Sequence, residues 1–164
     1  RAARAFREAI ALRPDRPDAY FNLGAALNSS GHKVEAGQRL LEAKERFPVG
    51  SVDWAVATAA AFSNLTQEVC AEVAKPEWWN DEGLKAMSAR VVRAAPDAMV
   101  ANEMRAIVLS GRSGVSWEGG ARSAAELKKA ATHYDRSTAL HPAPAGKAAL
   151  ADKAAWCRRQ ADRY

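Results

Sequence analysis

Four prolines constrain this chain more than any other feature. Pro14, Pro48, Pro96 and Pro142 each follow a helical segment, and counting back five, eight and twelve residues from each gives matching sets. The sets are Ala2, Phe6 and Ala9; Ala36, Leu40 and Ala43; Leu84, Ser88 and Val91; and Ala130, Tyr134 and Ser137. This spacing puts the three members of each set on one helix face. Proline then stops the helix, because it has no amide hydrogen and its ring clashes with the preceding turn. Where the first and third members are small, a neighbouring helix can approach closely. Composition points the same way. Alanine accounts for 38 of the 164 residues, which favours helix, and the β-branched and aromatic residues that strands prefer are scarce. A chain with such an internal repeat is expected to stack helix pairs around a shared core.

The segment between Pro17 and Pro48 is the most informative. It reads PDAYFNLGAALNSSGHKVEAGQRLLEAKERFP. Its large aromatic is Tyr20, followed by the Leu23-Gly24 pair, Leu27, a turn glycine at Gly31, and then Ala36, Leu40, Ala43 and Pro48. On these positions, and on the 34-residue step from Pro14 to Pro48, the sequence resembles the tetratricopeptide repeat, a helix–turn–helix unit of that length. Gly37 and Arg39 depart from the usual pattern. Downstream the steps lengthen to 48 and 46 residues. In the third unit, Ser51 is placed to cap a helix in which Trp54 takes the aromatic position and Thr58 replaces the glycine. The excess there either lengthens both helices or loops out around Lys75-Pro76. In the fourth unit, Val100, Met104, Ile107 and Val108 form a stripe that does not match the family register. The glycine-containing stretch 110–123 reads as a loop, and Ser123-Ala124-Ala125-Glu126 as a capping box that restarts the helix.

The resemblance implies an all-α, right-handed solenoid of antiparallel helix pairs with about eight helices and one continuous core. Residues 1–164 form a single array: 1–14 is the second helix of a truncated repeat, 17–48 a complete repeat, 51–96 and 97–142 expanded repeats, and 145–163 a terminal capping helix. Arg1 is not a start Met and the helix already runs there, so the numbering is expected to begin inside a longer protein, with a flank at residues 1–12 that is either exposed or covered by upstream chain or a partner.

Few residues suggest chemistry. His32, His133 and His141 have no second ligand at metal-binding spacing, so no metal or cofactor is expected. Cys70 and Cys157 lie far apart; one reads as a small apolar-face residue and the other as a surface thiol, with Arg158 and Arg159 able to lower the pKa of Cys157 if it is exposed. The stretch from Gly111 to Gly120 lacks the Gly-Lys-Ser/Thr ending of a phosphate loop and reads as a connector. Asn28-Ser29-Ser30 and Asn64-Leu65-Thr66 match the glycosylation pattern but are read as incidental. The net charge of +5 divides into +3 over residues 1–16, +3 over 144–164 and −1 between them. There is no basic stripe with interleaved aromatics, which argues against nucleic acid. No apolar run is long enough for a membrane span, and a soluble cytoplasmic or organelle-lumenal location is expected.

In the family the first helix of each pair lines a concave groove that receives a partner segment. By register, the resemblance implies a groove of Asp18, Phe21, Ala25, Asn28 and Ser29, then Val52, Ala55, Ala59, Phe62 and Ser63, with Phe21 and Phe62 as apolar knobs. One subclass grips the carboxylate tails of chaperones with Lys, Asn and Arg. Phe21, Ala25, Val52 and Val56 occupy the corresponding positions, so a chaperone C-terminal tail is not the expected ligand. The expected function is non-catalytic capture of a partner helix or extended segment. An intramolecular segment filling the groove is the alternative for this surface. For the protein as a whole, the alternatives are a docking or regulatory part of a larger enzyme, or a structural subunit anchored through Trp78, Trp79 and Trp117. Of Trp78 and Trp79, one is expected to pack inward, since adjacent helical residues point about 100° apart. Trp117 is expected either to fold back onto the core or to anchor a partner.

Overall fold

A computed structural model describes residues 2–111 and 117–164. The described residues form eight α-helices and no strand: α1 (Ala2–Leu12), α2 (Pro17–Ser29), α3 (Lys33–Arg46), α4 (Val52–Leu65), α5 (Asp81–Ala94), α6 (Met99–Ser110), α7 (Ala124–Leu140) and α8 (Pro144–Ala161). A single 3-10 turn, Glu68–Cys70, lies between α4 and α5. Each helix packs on the next along the chain, and α4 also meets α6.

The prolines act as the spacing predicts. Pro14, Pro48, Pro96 and Pro142 each stand two residues beyond a helix end. The residues before Pro48, Pro96 and Pro142 leave the helical region, with ψ of 148°, 66° and 132° at Phe47, Ala95 and His141. The proline ring disfavours α geometry in the residue preceding it. Three of the four predicted sets are buried: Ala36, Leu40 and Ala43, then Leu84, Ser88 and Val91, then Ala130, Tyr134 and Ser137. The first set lies on α1, which has no fully buried residue, and Leu12 at its end is 83% exposed.

Local signals set the other boundaries. Between α2 and α3, Gly31 takes φ of +85°, while the His32 amide donates to Leu27 O at 2.9 Å. This closes α2 with a left-handed residue that glycine adopts without a Cβ clash. The Ser51 hydroxyl oxygen accepts from the Trp54 amide at 3.1 Å, and Ser123 with Glu126 forms both bonds of the expected capping box.

The core differs from the single continuous one expected. It divides into three adjoining clusters, one around α1–α3, a large one spanning α2 to α6, and one among α6, α7 and α8. Ile10 and Ile107 each border two clusters. This follows from stacking, in which each unit contacts only its neighbours.

The register of α6 also becomes clear. Tyr20 stands six residues after Pro14 and its hydroxyl donates to Pro14 O at 2.6 Å. Asn102 stands six residues after Pro96 and its amide donates to Pro96 O at 2.8 Å. Asn102 therefore takes the place of the aromatic in the fourth unit, with Ala106 at the glycine position. An amide can stand where the phenol stands because in both units the side chain donates to the carbonyl of the proline that follows the preceding helix.

The excess length of the third unit is the looped alternative, since α4 ends at Leu65 and α5 begins at Asp81. Lys75 Nζ holds this insert by donating to Cys70 O at 2.6 Å and Val73 O at 2.8 Å. Its end folds over the first turn of α5, where the Asn80 side chain caps the Gly83 amide at 2.8 Å. A Cβ on Gly83 would sit 2.4 Å from Trp78 O. Gly83→Ala is therefore expected to destabilise the fold by about 1–3 kcal/mol, since backbone must move to admit the methyl. The readout is a lower urea midpoint. A higher midpoint, as alanine's helix preference alone would give, would show that the Trp78 segment does not lie over α5.

Candidate partner-binding groove

The groove residues expected from the sequence fall into two groups. On α2, Asp18, Ala25 and Ser29 are exposed, while Phe21 and Asn28 are partly buried. The Phe21 ring packs edge-on against Phe47, with centroids 6.5 Å apart. Asn28 Oδ1 accepts from Lys33 Nζ at 2.6 Å. On α4, Val52 is 57% exposed and Ser63 is exposed, but Ala55, Ala59 and Phe62 are buried.

Phe62 is therefore not an accessible knob, and the physical reason lies in the two expansions. Its ring meets Trp79 at 5.4 Å and Trp117 at 5.8 Å between centroids. Trp79 in turn meets Trp117 nearly perpendicularly at 6.3 Å and Trp78 at 5.7 Å. Trp78 and Trp79 end the 66–80 insert, and Trp117 belongs to the loop before α7. The extra length thus delivers indole surface to the end of α4, where burial of large aromatics is strongly favourable. The α4–α6 part of the channel is closed as well. Ala59, Phe62, Ser63, Val100, Glu103, Met104 and Ile107 enclose only about 20 Å³, about enough for one water.

The tryptophans follow from the same packing. Trp79 is the member of its pair that packs inward, at 9% exposure. Trp78 is partly buried beside Lys44, whose Nζ lies 5.6 Å from both the Trp78 and Trp54 rings. Trp117 folds back onto the core, and its indole N–H donates to Asp81 Oδ1 at 3.3 Å. As interface anchors these side chains would have to leave one another first.

Sequence reasoning missed the polar clamp that holds this arrangement. Arg122, 6% exposed, donates to both carboxylate oxygens of Asp81, to Val108 O and to Gly120 O. It joins the loop before α7 to the start of α5 and the end of α6. Burial pushes the Asp81 carboxyl up, but bonds from Arg122 and Trp117 and the Arg122 charge outweigh that, and its pKa falls below the ordinary value. Lys85 extends the network to Glu126 at 2.7 Å. The partners stand 41 residues apart, so no local pattern links them.

His133 sits where α7 meets α6, with Nδ1 2.9 Å from Asn102 Oδ1. Burial, then the charges of Arg136 and Arg105, push its pKa down to about 4. A histidine depressed in the folded state stabilises the fold fully above its unfolded value, near 6.5, and that contribution is lost as pH falls toward 4. Urea midpoints are expected to fall between about pH 7 and pH 4.5, and less steeply in His133→Phe. Coincident slopes would contradict the environment described for this ring.

Cys70 and Cys157 are both fully buried, which corrects the expectation of a surface thiol. Burial raises the Cys70 thiol pKa against the opposing charge of Lys75, the reverse of an activated nucleophile. Among the described residues no three His, Cys, Asp or Glu side chains converge as metal ligands. No described helix is long and apolar enough to cross a membrane.

The stretch 112–116 of the predicted connector lies outside the described residues. The family model described as TPR repeat matches residues 1–31, the stretch that covers α1, the Pro14 turn and α2. No curated protein and no solved structure matches the chain. With its helix pairs and repeated proline register, the chain is thus similar at its start to a tetratricopeptide repeat, within an all-α array of packed helix pairs.

Proposed function

We propose that this chain is a protein–protein interaction module that receives a helix or extended segment of a partner along the uncovered half of its groove. The contact surface is Asp18, Phe21, Ala25 and Asn28 on α2, continued by Val52 at the start of α4. The observation that carries this reading is the contrast between the two halves. The tryptophans cover Phe62, whereas Ala25 and Val52 stay exposed and Phe21 is only partly buried, on the helix that belongs to the tetratricopeptide match. A small-residue surface with one aromatic suits an amphipathic helix or apolar strand, which gains affinity from buried area. The reading needs no catalysis and no cofactor. It excludes a carboxylate-clamp ligand, because Phe21, Ala25, Val52 and Val56 offer no charge or amide.

The test is Phe21→Glu combined with Val52→Glu. Val52 is exposed and Phe21 only edges the core, so far-UV circular dichroism should match the parent while Tm falls modestly. Quantitative affinity capture with mass spectrometry should show the specifically retained proteins reduced tenfold or more, the effect of losing about 1.4 kcal/mol or more. An unchanged retained set would remove the groove assignment.

A further inference from the structure

A cavity of about 320 Å³ lies between α6, α7 and α8, beside the end of α4. Helical spacing builds its walls. Lys153, Trp156 and Cys157 stand at i, i+3 and i+4 on α8, so they share one face. Ile107 and Ser110 stand three residues apart on α6, and Tyr134 comes from α7. Ser110, Tyr134 and Cys157 are buried, Ile107 and Trp156 are partly buried, and Lys153 is exposed. The cavity is thus mainly aromatic and aliphatic at its depth, with a cation at its rim.

Its size and charge narrow what it can hold. Ile107 also borders the 20 Å³ space beneath Phe62, which has room for about one water. The α8 cavity is far larger. It has about twice the roughly 150 Å³ of an apolar cavity that binds benzene, and it falls at the small end of the range for ligand pockets. Among the described lining residues Lys153 carries the one formal charge, and no carboxylate opposes it. Of the acids near it in sequence, Asp135 pairs with Arg158. Asp152 is exposed and, one residue before Lys153 on the helix, points about 100° away. Among the described residues Lys153 has no carboxylate within salt-bridge distance, whereas Lys44 and Lys85 do. One ammonium with no second cation beside it matches a monoanion, a carboxylate rather than a doubly charged phosphoryl group.

We propose that this cavity binds a small aromatic carboxylate, of about two fused rings. The rings enter between Ile107, Tyr134 and Trp156, where burying apolar surface and stacking on the indole supply the affinity. The carboxylate stays at the rim and pairs with Lys153, which fixes the orientation of the ligand. The site is separate from the groove of α2, and neither reading depends on the other.

The test uses 2-naphthoate as the probe near neutral pH, with 2-naphthalenemethanol as its uncharged counterpart. Binding is followed by NMR at the indole N–H signals of the isotope-labelled protein, the Trp156 signal being identified by Trp156→Phe. Naphthoate should move the Trp156 signal saturably and leave that of Trp54 in place. The alcohol should bind about fivefold more weakly, and Lys153→Gln, an exposed change, should weaken naphthoate by the same factor, the upper range for a solvent-exposed charge pair. Lys153→Gln should leave the alcohol unaffected, and Phe21→Glu with Val52→Glu should alter neither titration. The absence of a saturable shift at Trp156 would overturn the site. So would equal affinity for the two probes, or naphthoate binding unchanged in Lys153→Gln, since either would reduce the cavity to unselective uptake of apolar molecules.

Discussion

Phe62→Ala is expected to destabilise the protein by about 3–5 kcal/mol, the cost of emptying an aromatic site in a packed core. Phe62 is 1% exposed and touches Trp79 and Trp117, so its loss also unseats the ends of both expansions. For a domain of this size the change lowers Tm by roughly 6–20 °C. Phe62→Asp goes further, since it buries a carboxylate with no partner. Phe21→Asp, at the half-buried edge of α2, should cost far less. The pair separates two roles for the aromatics that repeat register makes equivalent. Thermal unfolding of the Ala variant decides the matter. A Tm within about 2 °C of the parent, together with loss of partner capture, would make Phe62 a surface knob and displace the tryptophans from α4.

Arg122→Met should cost about 3 kcal/mol, the low end for breaking a buried ion pair, because Asp81 retains 25% exposure. The methionine fills much of the volume, so the loss reports on polar partners. Asp81 would lose its counter-charge, and Val108 O and Gly120 O would lose their donor. A double-mutant cycle with Asp81→Asn should show coupling above about 1 kcal/mol, since the residues share one network. The variant should also lose pH dependence. The Asp81 pKa is lowered in the fold, so the stability it contributes is present above its ordinary value of 3.8 and disappears as pH falls through and below that value. Arg122→Met should flatten that acid limb of the stability profile. Additive single and double variants would show that the clamp does not act as a unit.

Different parts of the molecule were legible to different degrees, for physical reasons. Helix ends are written in short-range chemistry. Pro48 stops α3, Gly31 turns α2 into α3, and Ser123 with Glu126 starts α7, each within a few residues of its effect. The buried sets Ala36-Leu40-Ala43 and Leu84-Ser88-Val91 followed from helical periodicity alone. The register of α6 did not, because asparagine at 102 carries no hydrophobic signal and reveals its place only through the bond to Pro96 O. The groove residues were half legible. Asp18, Phe21, Ala25 and Val52 remain reachable, whereas Ala55, Ala59 and Phe62 do not. Repeat register says which face of α4 points toward the groove. It says nothing about what a 15-residue insert from elsewhere does with that face.

The sequence by itself determined an all-α chain of helix pairs, the ends of those helices, and the faces that meet within each pair. These depend on local backbone preference and a 3.6-residue period, which act over one or two turns. Tertiary structure alone decided that Trp79 and Trp117 close over Phe62, that Arg122 bridges to Asp81, and that His133 meets Asn102. Each of these contacts joins segments of irregular chain or separate helices across 17 to 55 residues. Their pairing depends on where loops land in three dimensions, and no periodic pattern carries that information.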